Sequence, residues 1–154
     1  MRSDLSAEIG VVNAIQVSER TRQPMLALES ATAVPGAGLV GCRHSKPGNQ
    51  RSVLLVECET LDELALTPGE IKENITTRGI DLRSLTPGAQ LQIGETAVLE
   101  ISGPCAPCGR MDEIRDGLQS DLQGRRGMNS RVVVGGPIRR GDAIRVVRPG
   151  RSLP

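Results

Sequence analysis

The chain contains no phenylalanine, tyrosine or tryptophan among its 154 residues. Its core must therefore be built from leucine, isoleucine, valine, methionine and alanine. A planar ligand would have to be held by backbone groups, guanidinium planes and aliphatic side chains, because aromatic rings are the usual stacking partners. The same absence weighs against binding of single-stranded nucleic acid, which relies on base–aromatic stacking.

The sequence also lacks a long apolar run and a strong net charge. No stretch approaches the roughly 18 apolar residues of a membrane span, and the first ten residues, MRSDLSAEIG, lack the apolar segment of a signal peptide. The net charge is +1, so no global field indicates a nucleic-acid or membrane partner. We therefore expect a cytoplasmic protein with neither kind of partner.

Several common motifs are missing as well. The sequence has no phosphate-binding G-x-x-x-x-G-K-[ST], no dinucleotide-binding G-x-G-x-x-G and no G-x-S-x-G nucleophile turn. It also shows no flavin or haem motif. Nucleotide-binding and serine-hydrolase functions are therefore unsupported, and a redox function would require an electron-donor protein as partner.

Glycine and proline are abundant, with 18 and 10 copies, which favours short strands and turns over long helices. Short apolar runs separated by turn residues predict a mainly β, barrel-like single domain with a few short helices. The predicted boundaries are a flexible N-terminus at 1–8, one domain at 9–148 and a flexible tail at 149–154. The predicted strands are 9–17, 25–28, 52–57, two within 90–101, 131–134 and 143–147.

Two helices and two long loops complete this prediction. Thr60 with Glu63 resembles a capping box and predicts a helical turn over 60–66, and a second short helix is expected over 112–122. The small and glycine-rich stretch 33–41 and the polar stretch 74–79 are predicted as loops.

The segment PCAPCGR at 104–110 carries the strongest chemical signal, because it follows an apolar strand directly. Cys105 and Cys108 therefore project from an irregular strand end, and Arg110 beside them favours a reactive thiolate. Alternatives remain open. A zinc site would need further ligands from Cys42, Cys58 or His44 without a finger-like spacing. A thioredoxin-type pair would need a βαβ pattern that is not evident. Two inert cysteines in a turn are the plainest reading.

Three further segments concentrate donors near glycine. KENITTRG at 72–79 can surround an anion or a polar heterocycle, although a solvated turn with a Lys72–Glu73 charge pair explains it as well. RHSKPGNQR at 43–51 suits a phosphate or is an ordinary basic surface loop. GRRG at 124–127 is a weaker case of the same kind. Asp112 and Glu113 either act as a base near the cysteine or favour the start of the short helix.

Taken together and in this order, the segments resemble a MOSC domain, the C-terminal domain type of molybdenum-cofactor sulfurase. The likeness runs from about the first strand to the last and is closest to the stand-alone bacterial type. Its most specific parts are ENITTRGIDL at 73–82 and the Pro-Cys loop. The matching segments are GLVGCRHS, RSVLLVE, PGEIKENITTRGIDL, GAQLQIGETAVLEISGPCAPCGRMDEI, GRRGMNSRVV and GGPIRRGDAIRV.

The resemblance implies a mainly β barrel-like fold and the molybdenum cofactor, molybdopterin, as ligand; pyridoxal phosphate is not expected in this domain alone. It implies that Cys108 is the catalytic residue and a ligand of molybdenum, with Cys105 standing where an arginine is common and serving as a possible resolving thiol. The implied cofactor-binding residues are Lys72, Asn74, Thr76, Arg43 and Arg51, of which Asn74 matches the family's loop best.

Two functions follow from this resemblance. The first is a molybdenum-dependent oxidoreductase or redox module that reduces N-oxygenated small molecules. The second is a carrier that holds sulfur as a persulfide on Cys108, or carries the cofactor, and delivers it to a molybdoenzyme partner. The residues alone do not choose between catalytic activity and a carrier role.

Overall fold

The computed structural model describes residues 9–151. The predicted segment 1–8 and the end of the predicted tail, 152–154, lie outside the described residues. The strands are β1 Ile9–Val17, β2 Leu26–Leu28, β3 Ser30–Val34, β4 Gly38–Leu39, β5 Val53–Glu57, β6 Ile75–Arg78, β7 Gln90–Ile93, β8 Ala97–Pro104, β9 Met128–Val134, β10 Gly136–Arg139 and β11 Ala143–Arg148. The helices are α1 Cys58–Glu63, α2 Arg110–Ile114 and α3 Leu118–Asp121, with a 3-10 turn at Leu82–Ser84.

Within residues 9–151 the strands form a closed seven-stranded barrel. The order around it is β11-β7-β8-β9-β5-β6-β1, and β1 pairs with β11 to close the ring. Only β5 and β6 are parallel among these pairs. Strand accounts for 40% and helix for 13%, so the predicted mainly β barrel with short helices is confirmed.

The apolar run of β5 is buried on both faces, which explains its unbroken VLLV sequence. Val53 and Leu55 point into the barrel core. Leu54 and Val56 point outward into a second apolar cluster. Leu61 of α1, Met111 of α2, and Leu118 of α3 belong to that cluster and shield the outer face of β5. The three short helices therefore form one layer on one side of the barrel.

The barrel core consists of aliphatic side chains together with Cys42 and Met128. Buried apolar side chains alternate with partly exposed ones along β7 and most of β8, as a strand with one buried face requires. The largest fully buried side chains are Ile15, Leu39, Leu55, Leu61, Ile71, Ile75, Leu82, Leu91, Ile93, Leu99, Ile101 and Leu118.

Four sequence-based expectations are corrected. The stretch 33–41 contains the end of β3 and all of β4, which form a small second sheet with β10. The stretch 74–79 is largely β6, whose threonines are buried in the barrel wall. The first helix begins at Cys58, so Thr60 lies inside it and does not cap it. The second predicted helix is two helices, broken at Gly117, whose φ of 84° is left-handed.

Across residues 9–151, the helices are too short or too polar to traverse a lipid bilayer.

Leu55 offers a direct test of the barrel core. It is 0% exposed, so Leu55→Ala should lower the free energy of unfolding by about 2–5 kcal/mol through lost burial and a cavity. The matched control is Leu26→Ala on β2, where leucine is 44% exposed, with an expected change of about 0.5 kcal/mol or less. Urea unfolding followed by far-ultraviolet circular dichroism measures both. Equal losses would contradict the described packing.

Candidate functional site

One cleft lies where the loops at one end of the barrel meet α2. Its volume is about 470 Å³, within the range of small-molecule sites. Several separate regions of the chain form it: the β1–β2 loop, the β4–β5 loop, Leu54 of β5, the approach to β6, the Pro-Cys loop with α2, and the segment that leads from α3 into β9. The lining residues that carry polar groups are Ser18, Arg22, Gln23, Arg43, His44, Arg51, Lys72, Asn74, Cys108, Arg110, Glu113, Arg126 and Asn129.

Positive charge dominates this cleft. Among its described lining residues, six cationic side chains face a single carboxylate, Glu113. That carboxylate is already paired, because Arg22 Nη1 lies 3.3 Å from Glu113 Oε1. The pair is more than half exposed on both sides, so it adds little stability. Clustered like charges in a concave site concentrate the potential, and the cleft is therefore suited to an anion.

Cys108 presents an exposed thiol to this cleft. It lies just before α2, and its carbonyl accepts a hydrogen bond from Met111 N at 2.9 Å. Gly109 has no heavy atom within 4 Å of the position where a Cβ would stand. The backbone beside the thiol is thus open on that side, and a bulky ligand can approach it.

The structure brings Arg43, Arg51, Lys72 and Asn74 to the same cleft as Cys108. Arg43 is positioned by its Nε, which donates to Ser18 Oγ at 3.2 Å. Lys72 adopts a left-handed backbone, with φ of 71°, and its Nζ donates to Gln23 O at 3.3 Å. The predicted Lys72–Glu73 charge pair is therefore not what orients this lysine.

Asn74 lines the cleft, but its amide is used within the protein. Oδ1 accepts from Leu54 N at 2.9 Å. Nδ2 donates to Gln16 O at 3.1 Å and lies 3.5 Å from Cys42 Sγ. Both amide hydrogens and one lone pair are thus engaged. Asn74 joins β1, β5 and the β4–β5 loop, so it shapes the cleft wall and has no free donor for a ligand.

Thr76 is not brought to the cleft. It is 0% exposed and its hydroxyl donates to Glu73 Oε2 at 2.7 Å. The same carboxylate oxygen accepts from Gly69 N at 3.0 Å. Glu73 therefore fixes the turn that presents Lys72. Sequence reasoning missed this because a glutamate beside a lysine has the pattern of a solvated pair.

Arg126 is a site residue that the sequence indicated only weakly. It is 7% exposed, and Nη2 donates to Ile71 O at 2.7 Å. Among residues 9–151, buried Nη1 has no hydrogen-bond partner. A buried guanidinium nitrogen without a partner is costly, and this one belongs to a residue that lines the cationic cleft. A ligand acceptor or an ordered water would relieve that cost.

Cys42 and His44 form a pair beneath the cleft surface. Cys42 Sγ lies 3.7 Å from His44 Nδ1, and Cys42 is only 6% exposed. Burial alone raises the pKa of the Cys42 thiol. The hydrogen bond and charge of His44, with backbone hydrogen bonds at His44 and Ser18, outweigh burial and lower the pKa to about 7. Cys42 thus carries substantial thiolate at neutral pH.

Cys105 faces a different cleft from Cys108. This second cleft, of about 460 Å³, is lined by Cys105 together with Arg83, Pro104 and Met128. Cys105 also packs against the outer apolar cluster. The Pro-Cys loop thus separates the two cysteines, and Arg126 lines both clefts. The expected resolving role of Cys105 remains a prediction.

Within the part of the chain that the structure describes, no three histidine, cysteine or acidic side chains are grouped closely enough to hold a metal ion. Any metal at Cys108 would therefore have to bring most of its own ligands.

Comparison with known proteins identifies the family. The family model for the MOSC domain matches residues 44–145, and the chain belongs to this family. Among curated proteins no match is found.

Solved structures share the fold at low sequence identity. YuaD from Bacillus subtilis has a TM-score of 0.78 at 18% identity, covering 88% of this chain and 94% of that one. YiiM from Geobacillus stearothermophilus has a TM-score of 0.73 at 17% identity, covering 90% and 75%. YiiM from Escherichia coli has a TM-score of 0.68 at 18% identity, covering 95% and 71%.

The bridging role of Asn74 can be tested by stability. Asn74→Ala leaves the buried Leu54 N–H without an acceptor and should cost about 1–3 kcal/mol of unfolding free energy. The control is Asn13→Ala on β1, where the asparagine is only partly buried. Urea unfolding of both variants decides the matter. An Asn74→Ala protein as stable as the Asn13→Ala protein would refute the bridge.

Proposed function

We propose that this protein binds the molybdenum cofactor in the cationic cleft, with Cys108 as a ligand of molybdenum, and reduces N-oxygenated small molecules. The observation that carries the proposal is the combination of one exposed thiol with six cationic side chains in a single cleft. Membership of the MOSC family supports it, since the family is associated with this cofactor.

The donor set of the cleft fits such a ligand. The cofactor is anionic through its phosphate, and guanidinium groups bind phosphate with two parallel hydrogen bonds. Arg43, Arg51, Arg110 and Arg126 are the candidates to hold that phosphate, and unpartnered Arg126 Nη1 supports an acceptor in this region. Lys72 adds a further charge without the planar geometry of arginine.

Cys108 would supply the one protein ligand to the metal. A thiolate is a soft ligand and matches a metal that already carries sulfur ligands. The cofactor, when bound, supplies two-electron removal of an oxygen atom. The chain's own residues would hold the anion, leave open space beside Gly109 and orient the thiol through the turn that begins α2.

A carrier function remains the second candidate. Cys108 is exposed, and such a thiol can hold a persulfide or present the cofactor to a molybdoenzyme partner. Free thiols at all four cysteines support the reducing cytoplasm as the compartment in either case.

Cofactor loading tests the ligand assignment. In a host that makes the cofactor, Cys108→Ser should reduce the molybdenum-to-protein ratio to background, because serine offers no soft sulfur ligand. Cys105→Ser is the matched control, since Cys105 lines the other cleft, and it should load as the unchanged protein does. Metal analysis of the purified proteins gives the ratio. Undiminished loading of Cys108→Ser would rule out the assignment, and equal loss in both variants would mean that the cysteines act as one unit.

Activity of the loaded protein separates enzyme from carrier. We expect reduction of benzamidoxime when an artificial electron donor is supplied, and loss of that activity in Cys108→Ser. Loaded protein that shows no reduction but transfers cofactor or persulfide sulfur to an empty molybdoenzyme would support the carrier instead.

A further inference from the structure

We propose that Cys42 is a second reactive thiol of this protein, held as a thiolate by His44 and oxidised by small hydroperoxides that enter the Cys108 cleft. The proposal concerns the chain without any cofactor and does not depend on the function proposed above. It rests on a cysteine–histidine pair, on a third side chain that donates to the same sulfur, and on the position of both partners in the cleft wall.

The surroundings of Cys42 Sγ favour negative charge on the sulfur. His44 Nδ1 lies 3.7 Å away and Asn74 Nδ2 lies 3.5 Å away. Hydrogen bonds at the backbone of His44 and Ser18 contribute as well. A sulfur surrounded by donors and one imidazole is the environment in which protein thiols become nucleophilic.

The charged side chains near Cys42 and His44 also favour the thiolate form of Cys42. His44 is the titratable side chain that acts directly on Cys42. Arg43 is tied to Ser18, and Arg51, Lys72 and Arg126 line the same cleft. The single carboxylate among the described lining residues, Glu113, is paired with Arg22. No described acidic side chain of the cleft therefore opposes a thiolate at this position.

Access comes through the cleft. Cys42 itself is 6% exposed, but His44 and Asn74, which contact its sulfur, both line the cleft. His44 is only half-buried, so a change in its ring orientation would open a path for a small reagent. Arg126 Nη1, which is buried and has no partner among residues 9–151, belongs to a residue that lines this cleft and can donate a hydrogen bond to an oxygen acceptor that enters it.

The reaction balances with the peroxide as the only co-reactant. The Cys42 sulfur attacks the terminal hydroxyl oxygen of the hydroperoxide, an S–O bond forms and the O–O bond breaks. The sulfur is oxidised by two electrons to a sulfenic acid. The other peroxide oxygen leaves as an alkoxide, or as hydroxide when the reagent is hydrogen peroxide, and takes a proton from water in the cleft.

Cys58 provides an internal control. It is as buried as Cys42, at 5% exposure, and burial raises its pKa even though Arg78 lies beside it. The two cysteines therefore differ in thiolate content but not in exposure. Trypsin cleaves after Arg43 and Arg51, which places Cys42 and Cys58 in different peptides.

The experiment treats the full, reduced chain with hydrogen peroxide and dimedone over a range of pH and quantifies each tryptic peptide by mass spectrometry. Cys42 should be labelled at least about tenfold faster than Cys58 at neutral pH, since the thiolate is the nucleophile. Its rate should reach half of its maximum near pH 7, as the lowered pKa requires. Labelling of Cys42 no faster than Cys58 at every pH would overturn the proposal.

Substitution of His44 completes the test. His44→Ala removes the side-chain hydrogen bond and the charge, so the midpoint should move to the ordinary thiol pKa of 9.0 or above. His44→Asn places an amide near the position of Nδ1 and should give an intermediate midpoint. Lys46 is an exposed cation of the same loop, and Lys46→Ala should leave the midpoint of Cys42 labelling unchanged. An unchanged pH profile in a folded His44→Ala protein would also overturn the proposal.

Discussion

The amide of Asn74 is the interaction on which the candidate site depends. Strands β5 and β6 run parallel, and Asn74 stands immediately before β6, where the barrel passes into loops. Its side chain accepts from Leu54 N and donates to Gln16 O, while its backbone carbonyl accepts from Gln16 N at 2.8 Å. One residue thus satisfies backbone groups on two barrel strands that β6 separates. Because the same amide reaches Cys42, the geometry of the barrel end and the chemistry of the sulfur beneath the cleft are linked through a single side chain.

Near Asn74, the polar residues that the sequence indicates as ligand-binding have two different roles. Some are buried and hold the cleft wall in place, and others line the cleft. Glu73 and Thr76 turn inward and bind each other, and this buried pair fixes the turn that carries Lys72 with its left-handed backbone. The arginines of the cleft come from other segments of the chain. Arg126 is the one among them that is buried. The cleft therefore combines a wall held by hydrogen bonds of Asn74, Glu73 and Thr76 with six cationic side chains, among which the single carboxylate of the described lining is paired with Arg22.

The fold could be predicted from the sequence wherever the apolar pattern was clear. The run VLLV marked β5 and the turn at Gly94 marked the β7–β8 hairpin, and both lie where expected. Strand β6 could not be predicted in this way, because Thr76 and Thr77 are polar residues that are nevertheless fully buried. Arg126 was underestimated for a related reason: two arginines flanked by glycines have the composition of a solvated turn, and only the packing shows that Arg126 is buried. Cys42 and His44 are near neighbours in the sequence, but the contact between Cys42 and Asn74 joins residues that are 32 positions apart.

The aliphatic core has an optical consequence. Tryptophan and tyrosine give most proteins their near-ultraviolet absorbance, and this chain has neither. The polypeptide therefore absorbs very little in that region. The absorbance of a pterin, a metal–sulfur chromophore or any other coloured ligand held in the cleft would be measured with almost no contribution from the protein. Absorbance at 280 nm is therefore unsuitable for measuring the concentration of this protein. A near-ultraviolet absorption band in a pure preparation would come from a bound ligand and not from the polypeptide.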